Sequence, residues 1–196
     1  MPPPTQLAPG LTLLAVFDVS NVKATEGFSP ILGQDAAVLI LGTLPSRKSL
    51  EQNQYYGHPQ NVFWPIMGEL FGTGEDRSYA TRTKTLTDNG IAVWDVLASS
   101  VRPGSMDSAI DSSTAVANDF AALFREQPQI SLVCFNGQAA AKLYARFVAP
   151  TFEKSSNTAD YQTLPSTSPA HASMSFDEKL DRWQIVRAAA SNRRKK

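Results

Sequence analysis

Residues 37–67 read AVLILGTLPSRKSLEQNQYYGHPQNVFWPIM, and the fold follows from how this stretch is divided. Ala37 to Leu41 is an unbroken apolar run that stops at Gly42 and is followed by Pro45. Such a run, bounded by turn residues, predicts a strand buried on both faces, as in a parallel sheet. At the other end Val62, Phe63, Ile66, Met67, Leu70 and Phe71 recur at the spacing of a core-facing helix. Asn61 stands where an N-cap would, Pro65 is tolerable in the first turn, and Gly72 and Gly74 end the run. Between strand and helix, Gly42 to Asn61 is longer than a plain connection needs. It holds Tyr55, Tyr56, His58, Pro59 and Asn61, and this composition predicts a pocket wall.

The rest of the chain supplies the sheet. Tyr79 to Asp88 is a weak helix closed by Asn89-Gly90, and Ile91 to Leu97 a second strand. Ser99 to Ala117, rich in Ser, Asp and Gly, predicts a surface loop. Asn118 to Gln127 is a helix with Phe120, Leu123 and Phe124 inward, ended by Pro128. Ile130 to Phe135 is a third strand, followed by Asn136-Gly137 and a helix from Gln138 to Val148 with Ala139, Ala140, Leu143, Tyr144 and Phe147 inward. Asp160 to Leu164 is a fourth strand and Pro165 to Ser173 a second unusual loop. The last helix, Ser175 to Ala190, opens on a Ser175/Glu178 capping box and buries Phe176, Leu180, Trp183 and Val186.

Strands that alternate with helices predict an α/β fold: three layers, α/β/α, around a central, mainly parallel four-stranded sheet. Residues 27–190 form the single domain. Residues 1–26 are a partly irregular arm, Pro-rich at its start, in which Leu11 to Phe17 could be a short strand or a packed arm, and 191–196 are a basic tail. Parallel sheets place their sites at the carboxyl ends of the strands. The two unusual loops and Asn136-Gly137 should therefore meet on one rim.

Bulk properties narrow the function. Eighteen Lys and Arg balance eighteen Asp and Glu, so no global basic field advertises nucleic acid, although a local patch could still serve. The single cysteine, Cys134, excludes a disulfide framework and reads as a buried thiol. No run reaches a membrane span, and no basic segment precedes Leu11 to Phe17 as in a secretory leader. A reducing, cytoplasmic environment is expected.

The rim residues are Thr43, Tyr55, Tyr56, His58, Asn61, Asn136, Ser166, Ser168 and His171. Carboxylates are scarce among them, and no paired Asp/Glu, HExxH, Walker or GxGxxG pattern is present. Aromatic rings beside amides and hydroxyls suit stacking on a planar polar heterocycle and holding one water. From residues alone Asn61 is equally a helix cap or a catalytic amide. Asn136 either reads a ligand edge or caps the next helix. His58 orders its loop, and Arg47 and Lys48 either touch phosphate or face solvent.

The strand ending in Gly42 with Pro45, the YYGHPQNVFW segment, WDVL, FNG and LPSTSPAHA together resemble the uracil-DNA glycosylase superfamily. Within it they are most similar to the hypoxanthine-DNA (deoxyinosine) glycosylase branch, over about Gly27 to Ala190. The resemblance implies a monofunctional enzyme of DNA repair. It extrudes a deaminated base and hydrolyses its N-glycosidic bond, leaving an abasic site. Hypoxanthine is the first expected substrate, with uracil and xanthine as further candidates. Duplex DNA is the expected partner, single-stranded DNA a further candidate. A monomer without cofactor, metal or membrane attachment is expected.

The resemblance also distributes roles. Many relatives carry Asp or Asn two residues after the first motif's glycine, where it positions water; here that residue is Leu44, which cannot. In the hypoxanthine branch the Asn of HPxNxFW is held to be catalytic, which falls on Asn61. Tyr56 matches the ring that stacks on the extruded base. Gly42, Thr43, Leu44, Phe63 and Asn136 would complete the base pocket. Ser166, Ser168, Pro169, Ala170 and His171 belong to the loop that enters the DNA groove. Ser166 replaces a base-contacting His of some relatives, and Ala170 replaces a bulky wedge.

Two other readings remain. One is a small hydrolase using Ser166 or Ser168 with His171, for which no Asp partner or nucleophile elbow is visible. The other is a catalytically lapsed module that binds damaged or single-stranded DNA, which Leu44 keeps open.

Overall fold

The computed structural model describes residues 23–152 and 159–193. In chain order the elements are β1 (Thr25–Glu26), β2 (Val38–Gly42), α1 (Arg47–Gln52), α2 (Phe63–Phe71), α3 (Tyr79–Asp88), β3 (Ile91–Asp95), β4 (Leu97–Ser100), β5 (Val116–Ala117), α4 (Phe120–Glu126), β6 (Leu132–Asn136), α5 (Gln138–Phe147), β7 (Asp160–Leu164) and α6 (Phe176–Arg193). β3, β2, β6 and β7 lie side by side in that order, every pair parallel. β1, β4 and β5 form a small antiparallel sheet.

Successive strand residues point to opposite faces, and both faces are covered. Leu39, Leu41, Ala92, Val133 and Phe135 pack with Phe120, Leu123 and Phe124 of α4 and Ala140 and Tyr144 of α5. Val38, Ile40, Ile91, Val93, Leu132 and Cys134 pack with α2, with Leu86 of α3, and with Trp183, Val186 and Ala190 of α6. This is the expected three-layer α/β/α arrangement, and Cys134 is a free, buried thiol in it. No helix among the described residues is long and apolar enough to cross a membrane.

Several expectations need correction. The strand expected over Ile91 to Leu97 ends at Asp95. Val96 and Leu97 still donate to the carbonyls of Gly42 and Thr43, but beyond them β2 has turned away. The chain is taken up instead by β1 and β5, so Leu97 begins a different sheet. The expected surface loop from Ser99 to Ala117 contains part of β4, a 3-10 turn at Asp107–Ala109 and β5. Its polar side chains bond inward: Ser100 Oγ donates to the Asp111 carbonyl, and Thr114 Oγ1 accepts the Val101 N–H. Arg102 within it is buried. The first unusual loop is also not all loop, because α1 forms within it, capped by Ser46, whose side chain accepts the Ser49 N–H.

Leu11 to Phe17 lies outside the described residues, as do residues 194–196 of the basic tail expected over 191–196, while residues 191–193 continue α6; Thr25–Glu26 pairs with β4. The Ser175/Glu178 box forms, with Ser175 N–H donating to Glu178 Oε2 at 2.7 Å and Glu178 N–H to Ser175 Oγ at 3.3 Å. Phe176, expected inward, is exposed, because the first turn of α6 only flanks a shallow groove beside Pro65 and Gly68. Asn61 lies one residue before the cap position: α2 is preceded by Val62, which offers no side-chain bond.

Candidate active site

The carboxyl ends of the four parallel strands reach one edge. Gly42 stands in register beside Asp95, and Asn136 beside Leu164. Over this edge lies a cavity of about 300 Å³. Gly42, Thr43, Leu44, Tyr56, Asn61, Asn136, Ser166, Ser168, Ala170 and His171 all line it, so the two unusual loops do meet. They are joined directly, the Val62 N–H donating to the Thr167 carbonyl at 3.0 Å.

Two expected residues are placed differently. Phe63 is fully buried and does not line the cavity. It stands behind Tyr56, its ring stacked on the tyrosine at 3.9 Å with 24° between the planes. Pro169 is exposed and outside the lining.

Tyr56 is held hard. Its backbone lies in the left-handed region, φ 55°, an unfavourable conformation for a bulky residue that its surroundings must enforce. The neighbouring Tyr55 supplies the constraint. Its N–H donates to the Tyr79 hydroxyl, its carbonyl accepts Trp64 Nε1–H, and its hydroxyl donates to the Phe28 carbonyl. Burial raises the Tyr56 phenol above its ordinary pKa and the Asp95 charge adds to that, against the pull of the neighbouring Asn136 side chain.

Asn61 Oδ1 accepts the Phe63 N–H at 3.0 Å, so it partly serves the helix after all, while its Nδ2 has no partner among the described residues. His58 Nδ1 accepts the Gln60 N–H, which orders the turn before Asn61. Asn136 does not cap α5, whose preceding residue is Gly137. It clasps the opposite loop: Nδ2 donates to Thr167 Oγ1 at 2.8 Å, and Oδ1 accepts the Thr167 N–H at 2.9 Å. That loop also hangs from α6, through Trp183 Nε1 to the Pro165 carbonyl and Lys179 Nζ to the His171 carbonyl. Ser166 Oγ and Ser168 Oγ accept the N–H groups of Ser168 and Ala170 and are not bonded to the His171 ring, which leaves the hydrolase reading without a charge-relay contact. Lys48 pairs with Glu51 on the exposed face of α1.

The expectation that carboxylates are scarce here is overturned. Asp95 and Asp107 both line the cavity, together with Arg102 and Met106. The Arg102 guanidinium donates to the carbonyls of Leu44 and Pro45 and lies 3.9 Å from Asp107, which also accepts the Thr43 hydroxyl at 2.7 Å. Burial pushes the Asp95 carboxyl up to about 7, against the pull of Arg102 and with a smaller push from Asp107. The signal for Asp95 was legible as a lone carboxylate inside IAVWDVL. Arg102 had no such signal in its Ser- and Gly-rich surroundings.

The arrangement offers a stacking ring, an amide with free donors and a buried carboxyl around a small cleft. Residues 30–189 match the family model described as the uracil DNA glycosylase superfamily. A hypoxanthine DNA glycosylase of Methanosarcina acetivorans is 36% identical over 164 residues, covering 82% of this chain and 96% of that relative. One from Methanosarcina barkeri is 36% identical over 118 residues, covering 60% of this chain and 73% of that relative. A solution NMR structure of a candidate uracil DNA glycosylase from Methanosarcina acetivorans superposes with a TM-score of 0.70 at 33% identity, over 85% of this chain and 99% of that one. With the family model spanning nearly the whole described domain, the chain belongs to the uracil DNA glycosylase superfamily.

Proposed function

We propose that this protein is a monofunctional DNA glycosylase that takes a deaminated base, hypoxanthine first, out of the duplex and hydrolyses its N-glycosidic bond. The observation that carries the reading is the meeting of Tyr56, Asn61 and the Pro165–Ser173 loop in one cleft of a chain 36% identical to a hypoxanthine DNA glycosylase. Extruding the base costs a few kcal/mol of stacking and pairing, least at a mismatch. Tyr56, backed by Phe63, is the platform that receives the ring.

Bond breaking gives the sugar positive character and leaves the electron pair on the base. Water then adds to the sugar carbon and sheds a proton. An amide cannot remove that proton efficiently, so Asn61 acts by position: Oδ1 shared with the Phe63 N–H and Nδ2–H unclaimed hold the water in line. Leu44, buried in the wall, contributes shape and dryness. Ser166, Ser168, Pro169 and His171 grip the lesion strand. Ala170 is too small to fill the vacated stack; Met106, exposed at the cavity mouth, is the apolar side chain placed to enter it. Uracil and xanthine are further substrates, single-stranded DNA a further partner, and the enzyme works as a monomer inside the cell.

The test is incubation with duplexes carrying deoxyinosine, deoxyuridine or deoxyxanthosine, then alkaline cleavage of abasic sites. Strand cleavage at deoxyinosine is expected. Tight binding to these duplexes with no base release would instead favour the lapsed binding module.

A further inference from the structure

Five buried side-chain polar atoms lack a hydrogen-bond partner among the described residues: Tyr56 Oη, Thr73 Oγ1, Arg82 Nε, Asp95 Oδ2 and Arg102 Nε. Tyr56, Asp95 and Arg102 line the same cavity. Buried polar groups are ordinarily paired, and an unpaired one is costly. Three such residues around one cleft point to a polar ligand that completes them. Gly42 brings two of them together. A Cβ on that residue would collide with Asp95 Oδ1 and stand 3.3 Å from the Tyr56 hydroxyl. The Asn136 amide, the other candidate for reading a base edge, is already bonded twice to Thr167.

We infer that Asp95 is a further catalytic residue: its carboxyl, beside the Tyr56 hydroxyl, bonds the N–H/C=O edge of the excised base and steadies the charge that collects on that carbonyl oxygen. The inference rests on the glycosylase reading and deepens it. Deamination replaces an amine beside an acceptor nitrogen with a carbonyl beside an N–H. Hypoxanthine, xanthine and uracil share that edge. A neutral carboxyl meets it at two points, its O–H donating to the base carbonyl and its own carbonyl accepting the N–H. The Tyr56 hydroxyl supplies a second donor for the same oxygen.

The two charge states of Asp95 act in opposite directions. When the C1′–N bond breaks, its electron pair goes to the base, water oxygen bonds to C1′, and the proton shed by water ends on the released base. A neutral Asp95 stabilises the departing base by hydrogen bonding, whereas an ionised one repels it. The groups that face Asp95 are Arg102 and Asp107 from the loop after β4, and the Tyr55 and Tyr56 hydroxyls from the segment after α1. Burial dominates and holds the proton up to about pH 7.

The test is single-turnover release of hypoxanthine from a deoxyinosine duplex between pH 6 and pH 9, with Asp95→Asn and Asp95→Ala beside the unaltered enzyme. The unaltered enzyme should slow by about tenfold per pH unit once Asp95 ionises. Asp95→Asn keeps the volume, a donor and an acceptor, and should give a flat profile. Asp95→Ala should be slower by about 100-fold at pH 6. Melting curves establish that each variant is folded, and the isosteric Asn variant remains informative if the Ala variant is not. An Asn variant that keeps the alkaline fall, or an Ala variant as fast as the unaltered enzyme, overturns the inference and leaves the glycosylase reading intact. An unaltered enzyme that releases no base overturns both.

Discussion

The Tyr56 ring lies on Phe63 with centroids 3.9 Å apart, and Phe63 in turn meets Trp183 of α6 edge to face at 6.0 Å. The proposed base platform is thus the outermost layer of the hydrophobic core. Phe63→Ala should destabilise the protein by about 3–5 kcal/mol, measured by chemical denaturation, because the vacated volume lies at the centre of the α2–α6 packing. Tyr56→Phe keeps the stack and removes an unpartnered buried hydroxyl. Its stability should stay within about 1 kcal/mol of the unaltered protein while hypoxanthine release falls.

Asn61→Ala separates capping from catalysis. Losing the bond to the Phe63 N–H should cost about 1 kcal/mol or less. Base release should fall by at least about 100-fold, the scale of one lost positioned polar group in an active site. Equal stability and equal rate would reduce Asn61 to a turn residue.

The raised pKa of Asp95 makes stability depend on pH. Unfolded, the group titrates near 3.8; folded, near 7. Its proton favours the folded state below pH 4, and that contribution is lost as pH rises through 7. Asp95→Asn should therefore match the unaltered protein in unfolding free energy at pH 4 and exceed it by about 2–4 kcal/mol at pH 8.

Arg102 holds the turn after β2 from behind, with bonds to the carbonyls of Leu44 and Pro45. Arg102→Ala strands both acceptors and leaves Asp95 and Asp107 without their cation. A loss of about 3 kcal/mol in denaturation is expected, and Arg102→Lys should recover only part of it, since an ammonium cannot match the guanidinium fork.

Met106 is 58% exposed and borders the cavity. Met106→Ala should leave stability within about 0.5 kcal/mol. Release of hypoxanthine from duplex DNA should fall by about tenfold, a fraction of the unstacking energy. A pyrene nucleoside opposite the lesion, which fills the gap by itself, should restore the rate.

Much of the site is legible in the sequence. The runs Ala37 to Leu41 and Ile130 to Phe135, closed by Gly42 and by Asn136-Gly137, announce strands whose ends carry loops, and the loops contain the tyrosines, amides and serines found around the cleft. Residues 99–117 are the part whose composition conceals its fold. Serines and aspartates there satisfy one another and the backbone, so a segment with the composition of a solvated loop folds inward and delivers Arg102, Met106 and Asp107 to the cleft.

The pattern of apolar runs and helical spacings by itself determined the layer order, the parallel sheet and the edge on which the site lies, because burial on two faces leaves few arrangements for such segments. Only the tertiary structure decided the electrostatics. Asp95 looks like the polar end of a strand until Gly42, one strand away and without a side chain, lets it sit buried against Tyr56. Burial then sets its proton affinity, and burial depends on neighbours distant in sequence. Asn61 lies in the same cleft with its Oδ1 on the Phe63 N–H and its Nδ2 unclaimed. That division of one amide depends on the backbone turn at residues 61–63, which residue types alone left open between cap and catalyst.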